Sequence, residues 1–301
     1  MKKNNETELM NANSRQLDEW TALEIVEFMN QEDEQISKAV TNAMPIIAGA
    51  VDAIVERWKQ GGRCFVIGAG TSGRLGVVDA VELVPTFSIE KDRWTGLLAG
   101  GYEAMWTSLE ETEDDEKDII EALESRSLSS ADVIIGVTAS GSTPFVLSAV
   151  QYAKQKAALT IGISNNLKTV LSSEADFGIE VPTGPEVIRG STRLKAGTGQ
   201  KMVLNMISTA TMVRLGKVYQ NEMVDMKLIN KKLINRAAQS LVNITSITEE
   251  EALQALEINQ YDLKAAIFTV MTDGSKDDAE FYLEKTEGHL KKAIQQFMKD
   301  K

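Results

Sequence analysis

The 301-residue sequence contains a single cysteine, Cys64, and a single histidine, His289. One cysteine excludes a framework of internal disulfides, and one histidine argues against a histidine-rich metal site or a Ser-His-Asp triad. The sequence has no run of about 18 consecutive apolar residues, so we expect no membrane span. The basic start of the chain lacks the apolar segment of a secretory signal. We therefore expect a cytoplasmic protein in which Cys64 and His289 are structural.

Acidic residues outnumber basic ones: the sequence has 44 aspartates and glutamates but 32 lysines and arginines, which gives a formal net charge of −12. This balance argues against a general nucleic-acid binder, because non-specific affinity depends on lysine and arginine neutralising phosphates. The composition, 43% hydrophobic and 25% charged, is ordinary for a globular protein. The length suits one large domain and a small one.

The pattern along the chain predicts three parts. Residues 1–20 are polar and aperiodic, which indicates a mobile or partner-dependent arm. In residues 21–242, short apolar runs alternate with helical patterns, which predicts an α/β fold with a doubly wound parallel sheet flanked by helices. Residues 243–301 lack strand signals and predict a small module of three helices. The predicted strands are 63–67, 94–99, 132–138, 159–163 and 177–181, and two long helices are expected at about 194–215 and 219–241.

A glycine-rich turn, Gly68-Ala-Gly-Thr-Ser-Gly73, follows the first strand and precedes a helix. The pattern G-x-G-x-x-G places a phosphate group against a helix N-terminus in dinucleotide-binding folds. A nicotinamide site would also need an acidic residue at the end of the next strand, and the surroundings of Glu90 and Asp92 are a poor strand end. The candidate phosphate-binding residues are Gly70, Thr71 and Ser72, and a tight turn without a ligand is the alternative.

A second turn, Thr138-Ala-Ser-Gly-Ser-Thr-Pro144, follows another strand and opens another helix. Ser140, Ser142 and Thr143 place three hydroxyls beside the N–H groups of a helix start, an arrangement that can bind a phosphate without a cation. The alternative is an ordinary helix cap, for which serine and threonine are common.

Two serine- and threonine-rich turns on one parallel sheet, without a Walker lysine pattern, resemble the sugar isomerase (SIS) fold. Longer motifs are more specific, and they are Gly68–Gly76, Asp79-Ala-Val-Glu82, Pro85-Thr-Phe87, Leu98-Ala-Gly-Gly101, Gly184–Lys201 and Asn221-Glu-Met-Val-Asp225. With these motifs the chain resembles the N-acetylmuramic acid 6-phosphate etherase family, from about Thr21 to the C-terminus, including a UBA-like helical module at the end. The related glucokinase regulatory proteins have duplicated SIS domains and are far longer, so they fit less well.

The resemblance implies a lyase of cell-wall amino-sugar catabolism. Such an enzyme cleaves the C3 lactyl ether of N-acetylmuramate 6-phosphate, by elimination and water addition, to N-acetylglucosamine 6-phosphate and D-lactate. It also implies no metal or redox cofactor, and a homodimer with the site near the subunit interface. A sugar-phosphate-sensing regulatory protein and a sugar-phosphate isomerase are alternatives on the same fold, and a nicotinamide enzyme ranks last.

The resemblance implies that Glu82 and Glu113 are the catalytic carboxyls. We assign Glu82 as the acid that assists departure of lactate and then activates water, and the reverse assignment stays open. A carboxyl within the apolar run around Glu82 is costly to bury without a purpose, although a partly exposed helix acid is the alternative. Glu113 lies in a run of seven acids within nine residues, which is usually a solvated surface, and only the family register selects it.

The motif Gly184–Lys201 contributes Glu186, Ser191 and Lys195 as candidate substrate-binding residues. A lysine or arginine there could neutralise the phosphate or the lactyl carboxylate. The alternative is a surface helix start with incidental basic residues. The chain departs from the family pattern at several positions, and Ser142 stands where members usually have an arginine that could contact an anion. Met10 replaces another arginine, Glu111 replaces a glycine, and Leu83-Val84 replace Cys-Pro.

Overall fold

The central feature of the structure is a five-stranded parallel sheet in the order β2-β1-β3-β4-β5. The structure is a computed structural model and describes residues 5–228 and 230–301. Every residue of β1, β3 and β4 is buried, which explains why these strands are nearly continuous apolar runs. The predicted parallel α/β sheet is confirmed. Its strands are β1 (Cys64–Gly68), β2 (Trp94–Leu98), β3 (Val133–Thr138), β4 (Leu159–Ser164) and β5 (Phe177–Glu180).

One long helix, α1 (Ala22–Lys59), precedes the sheet. It begins with a capping box, in which the Thr21 hydroxyl accepts a hydrogen bond from the Glu24 N–H and the Glu24 carboxylate accepts one from the Thr21 N–H. By length and composition α1 could cross a membrane, but 44% of its most apolar window is buried inside the protein. Its buried residues follow spacings of three and four and pack against β5 and β4, as a core helix does.

Four further helices connect successive strands of the sheet, and a fifth follows β5. They are α2 (Gly70–Phe87), α3 (Glu116–Ser125), α4 (Pro144–Gln155), α5 (Val170–Glu174) and α6 (Lys195–Arg214). By their internal contacts, residues up to Val81 and Lys91–Ser208 form one unit, while Glu82–Glu90 and Thr209–Lys301 form a second. Helix α2 therefore contributes residues to both units.

The second unit contains a short antiparallel pair, β6 (Val218–Tyr219) and β7 (Glu222–Met223), where the sequence pattern predicts a helix from 219. That prediction is wrong at its start, because the helix begins only at Lys231, after the N-cap residue Asn230, whose side chain accepts a hydrogen bond from the Leu233 N–H. Four helices follow residue 243 rather than the three predicted. The helices of this unit are α7 (Lys231–Thr245), α8 (Glu249–Ile258), α9 (Leu263–Thr272), α10 (Lys276–Lys285) and α11 (Leu290–Asp300).

The described part of the N-terminal arm, residues 5–20, is not a free segment. It forms three short 3₁₀ turns, and individual hydrogen bonds attach it to residues far along the chain. Thr7 is fully buried, and its backbone N–H and its hydroxyl both bond the side chain of Asn166. Ser14 donates to the carbonyl of Val187 at 2.8 Å. The sequence predicts a mobile or partner-dependent arm, whereas these hydrogen bonds hold residues 5–20 in the structure. Polar docking of this kind leaves no periodic pattern in the sequence.

Candidate functional site

The candidate site lies at the carboxyl ends of β1 and β3, which are adjacent in the sheet although they are not consecutive in the chain. Their residues pair in register, with Gly68 opposite Val137. After β1 the chain leads to β2 on one side, and after β3 it leads to β4 on the other. Such a point of divergence leaves a crevice between the two following loops, which is where ligands bind in open parallel sheets. A cavity of about 370 Å³ occupies it.

Both predicted turns line this cavity, together with one of the two predicted catalytic carboxyls. The structure thus brings together the six candidate phosphate-binding residues of the two turns and Glu113. The lining includes no lysine, arginine or histidine among the described residues. An anion bound here would therefore depend on hydroxyl and backbone N–H donors. The polar lining residues are Thr71, Ser72, Thr138, Ser140, Ser142, Thr143, Thr192, Glu8 and Glu113, with Gly70 beside them.

The hydroxyls of the second turn form a connected set. Thr138 Oγ1 lies 2.7 Å from Thr143 Oγ1 and 3.2 Å from Ser140 Oγ. Ser142 donates to Ser140 Oγ from both its N–H, at 3.2 Å, and its hydroxyl, at 3.1 Å. Thr143 is the N-cap residue of α4, yet its side chain does not cap the helix. The hydroxyls and the positive end of the α4 dipole are thus arranged for an anionic ligand.

Glycines allow the two turns to approach the sheet closely. A Cβ at Gly73 would lie 2.3 Å from the carbonyl oxygen of Gly68, so α2 can pack on the end of β1 only with glycine there. Gly141, in the second turn, has φ +70°, and a Cβ would lie 2.3 Å from that of Thr169. Both positions explain why these loops are rich in glycine, which tolerates left-handed backbone and close contacts.

We expect Gly141→Ala to weaken phosphate binding at least tenfold and to lower stability by more than the ~1–2 kcal/mol of left-handed backbone strain alone. Gly184→Ala is the matched control, because Gly184 has a similar φ of +68° but a Cβ at this position would meet no atom within 4 Å. Urea unfolding and calorimetry with inorganic phosphate measure the two effects. Equal stability losses in the two variants would contradict the steric argument.

Glu113 lies in a 3₁₀ turn, Glu110–Asp114, that precedes α3. Partial desolvation raises the pKa of the Glu113 carboxyl, and the negative charges of Asp114 and Glu110 raise it further. A carboxylate with a raised pKa is a stronger proton acceptor near neutral pH. The acidic run is therefore more than a solvated surface, since two of its charges raise the pKa of Glu113, which lines the cavity.

Glu186 and Lys195 lie elsewhere, at the buried start of α6. The Glu186 carboxylate accepts hydrogen bonds from the backbone N–H groups of Lys195, at 2.9 Å, and Ala196, at 3.0 Å. Burial nevertheless raises the pKa of Glu186. The Lys195 ammonium is buried and lies 2.5 Å from a carboxylate oxygen of Glu32. Ser191 precedes the cavity residue Thr192 without lining the cavity itself, so a substrate role for Glu186, Ser191 and Lys195 stays a prediction.

Glu82 is not among the residues that line this cavity, and its side chain is exposed on α2. Its position on the helix places it beside three exposed valines, Val78, Val81 and Val84, with exposed fractions of 55%, 62% and 39%. The spacing of three residues puts these valines on one face of the helix. Its catalytic role likewise stays a prediction.

Sequence reasoning missed three polar cavity residues, Glu8, Thr138 and Thr192. Thr138 belongs to the second turn, but the sequence pattern does not single it out as a phosphate-binding residue. Thr192 falls inside the motif Gly184–Lys201, but the motif alone does not single out the residue that reaches the cavity. Glu8 belongs to the arm, where an aperiodic polar stretch gives no sign of docking. Glu32, the partner of Lys195, is one more acid on a helix whose pattern predicts only a buried apolar face.

The fold, with its two hydroxyl-rich turns, is that of the SIS domain, the class of domain that the sequence resembles. The family model described as "Glucokinase regulatory protein N-terminal SIS domain" matches residues 46–154, and the SIS domain model matches residues 118–210. A protein from Bacteroides fragilis with a proposed phosphosugar isomerase role in capsule formation has a similar structure. It is 20% identical, with a TM-score of 0.50, over 64% of this chain and 91% of that one, and this likeness shows the fold alone.

Sequence relatives narrow this class to one family. The chain is 58% identical to N-acetylmuramic acid 6-phosphate etherase 2 of Bacillus licheniformis, over 96% of this chain and 97% of the relative. It is 46% identical to the N-acetylmuramic acid 6-phosphate etherase of Clostridium beijerinckii, over 98% and 97%. The protein belongs to the N-acetylmuramic acid 6-phosphate etherase family.

Proposed function

We propose that the protein is a carbon–oxygen lyase that converts N-acetylmuramate 6-phosphate and water into N-acetylglucosamine 6-phosphate and D-lactate. The observation that carries this proposal is the cavity between the turns after β1 and β3, which is lined both by the hydroxyl-bearing residues of the two turns and by Glu113. A phosphate-binding surface and a proton-accepting carboxylate in one cavity are the two things that elimination from a phosphosugar needs.

The chemistry follows from the open-chain sugar. Its C1 aldehyde acidifies the C2 proton, and the lactyl ether at C3 is β to that aldehyde. A carboxylate removes the C2 proton, the C3–O bond breaks, and a carboxylic acid protonates the departing lactate oxygen. Water then adds to C3 of the unsaturated aldehyde. Two carboxyls with different pKa values can supply both proton transfers, and we assign them to Glu113 and Glu82, with either order of roles.

The test is release of D-lactate by the purified protein from N-acetylmuramate 6-phosphate, with the non-phosphorylated sugar as the control. Release from the phosphorylated sugar alone is expected, because the turns select the phosphate. Binding of the phosphosugar without lactate release would instead favour a sensor of sugar phosphates. Interconversion of aldose and ketose phosphates would favour an isomerase.

We further propose that the protein acts as a cytoplasmic homodimer with the site near the subunit interface. The exposed valines beside Glu82 on α2 are the observation that supports this surface, because a row of apolar side chains is costly to leave in water. Glu82 does not line the cavity of its own chain. In a dimer formed through this surface, Glu82 of the partner subunit would approach that cavity.

Sedimentation equilibrium should therefore give twice the chain mass of 33.0 kDa. Val81→Asp should shift the population to monomer and reduce lactate release in parallel, because it places a charge in the proposed interface. Val170→Asp is the control, since Val170 is an exposed valine at 47% on a different helix, α5. A monomeric Val81→Asp protein with full activity would contradict the interfacial site.

A further inference from the structure

Hydrogen bonds attach the N-terminal arm to the second turn, residues 138–144. The Asn5 side-chain amide donates to the carbonyl of Ser140 at 3.3 Å. Asn166 donates to Thr7 Oγ1 at 3.0 Å and to the carbonyl of Ala139 at 2.8 Å. One asparagine thus ties the arm to the backbone of the turn, and the residue that follows Thr7 is held beside the cavity.

That residue is Glu8, which is one of the residues that line the cavity. Arg189 donates from Nε to the Glu8 backbone carbonyl at 2.9 Å. This hydrogen bond holds the Glu8 backbone and does not involve its carboxylate. Within residues 5–228 and 230–301, the Glu8 carboxylate makes no hydrogen bond or ion pair. Glu8 is exposed at the cavity. Its backbone is held in place while its carboxylate is unpaired within the described residues, so the carboxylate is accessible to a ligand that enters the cavity.

The chemistry of the cavity restricts what this carboxylate can bind. An ionised carboxylate only accepts hydrogen bonds, so it repels the phosphate and cannot contact it favourably. The phosphate instead matches the hydroxyls and N–H groups of the two turns. The remaining donors on a phosphosugar are its O–H groups and, in an N-acetylated sugar, its amide N–H.

We propose that Glu8 is a substrate-binding residue that accepts a hydrogen bond from an O–H or amide N–H group of the bound phosphosugar. This inference rests on the proposed function and adds a specificity determinant to it, contributed by the arm. Glu8 thus selects for the sugar, while the turns select for the phosphate. The prediction is a change in affinity for sugar phosphates that inorganic phosphate does not share.

The experiment is titration calorimetry of the full-length protein with two probes, N-acetylglucosamine 6-phosphate and inorganic phosphate. Glu8→Gln should weaken binding of the sugar phosphate by about 10- to 100-fold, the usual contribution of a hydrogen bond to a charged group. Inorganic phosphate should bind equally well or more tightly, because a nearby negative charge is removed. Glu6→Gln is the matched control, since Glu6 is exposed in the same 3₁₀ turn, as Glu8 is, but does not line the cavity.

Three results would overturn the proposal. Unchanged sugar-phosphate affinity in Glu8→Gln would show that the carboxylate does not contact the sugar. Equal weakening for both probes would show that Glu8 only shapes the turn. Unchanged affinity with lactate release reduced 100-fold would make Glu8 a catalytic group. If the wild-type protein binds inorganic phosphate but not the sugar phosphate, the proposed function itself fails, and this inference fails with it.

Discussion

Glu113→Gln should lower the rate of D-lactate release from N-acetylmuramate 6-phosphate by about 10²- to 10⁴-fold, the usual contribution of a general acid or base. The amide has nearly the same shape as the carboxylate but cannot accept a proton near neutral pH. Since the turns that bind the phosphate are untouched, affinity for N-acetylglucosamine 6-phosphate should change little. A loss in rate without a loss in affinity is the signature of a residue that acts on the reacting atoms.

The acidic run supplies a matched control for this variant. Glu111→Gln removes one negative charge from the same 3₁₀ turn, two residues away, from a side chain that does not line the cavity. If the run acts only as a negative surface, both variants should lose activity equally, and the assignment of Glu113 would be wrong. Glu82→Gln should give a loss of similar size to Glu113→Gln, because elimination needs both a base and an acid.

The pH dependence gives a second measure of the same group. Desolvation and the charges of Asp114 and Glu110 raise the pKa of Glu113, so this carboxyl keeps its proton to a higher pH than an ordinary glutamate. If Glu113 is the base, activity rises with pH through this raised pKa as the carboxylate forms. Glu110→Gln removes one of the two neighbouring charges, so it should move that acidic limb of the profile to lower pH.

The sheet and its two turns can be predicted because their signals are local. The buried strands β1, β3 and β4 are apolar runs bounded by turn residues, and each phosphate turn directly follows one of them. The order of the strands in the sheet is not a local signal. The structure places β1 beside β3, and this adjacency brings the six candidate residues of the two turns into one cavity. The helix starts at Thr21 and Thr248 are again local, since each capping box spans only four residues.

The parts that sequence reasoning missed depend on contacts between residues far apart in the chain. Asn166 holds Thr7 across 159 positions, and Glu32 meets Lys195 across 163. Such pairs leave no periodic pattern in the sequence, because each is a single contact between two residues that are far apart in the chain. Family resemblance identifies Lys195 as a motif residue, but a motif does not say whether a lysine faces a substrate or a buried acid.

The buried pair of Lys195 and Glu32 leads to the largest expected effect on stability. Lys195→Met should lower the free energy of unfolding by about 3–5 kcal/mol, because it leaves the charge of Glu32 buried without a counter-charge. Asn11 donates to the same Glu32 oxygen at 3.0 Å but carries no charge to replace the lysine. Urea unfolding measures the loss, and Lys38→Met, at an exposed position of α1, should change stability by less than about 0.5 kcal/mol. A loss no larger than that of Lys38→Met would contradict a dehydrated ion pair.

The double variant Lys195→Met with Glu32→Leu separates this structural role from the substrate role that the family resemblance implies. Replacing both members of a buried ion pair by apolar residues is often neutral for stability, so most of the loss should be recovered. Because the ammonium is enclosed by Glu32, we expect affinity for inorganic phosphate to return with stability. A double variant that is fully folded but no longer binds phosphate would instead assign Lys195 to the anion, and the pair with Glu32 would then be the resting state of a binding lysine.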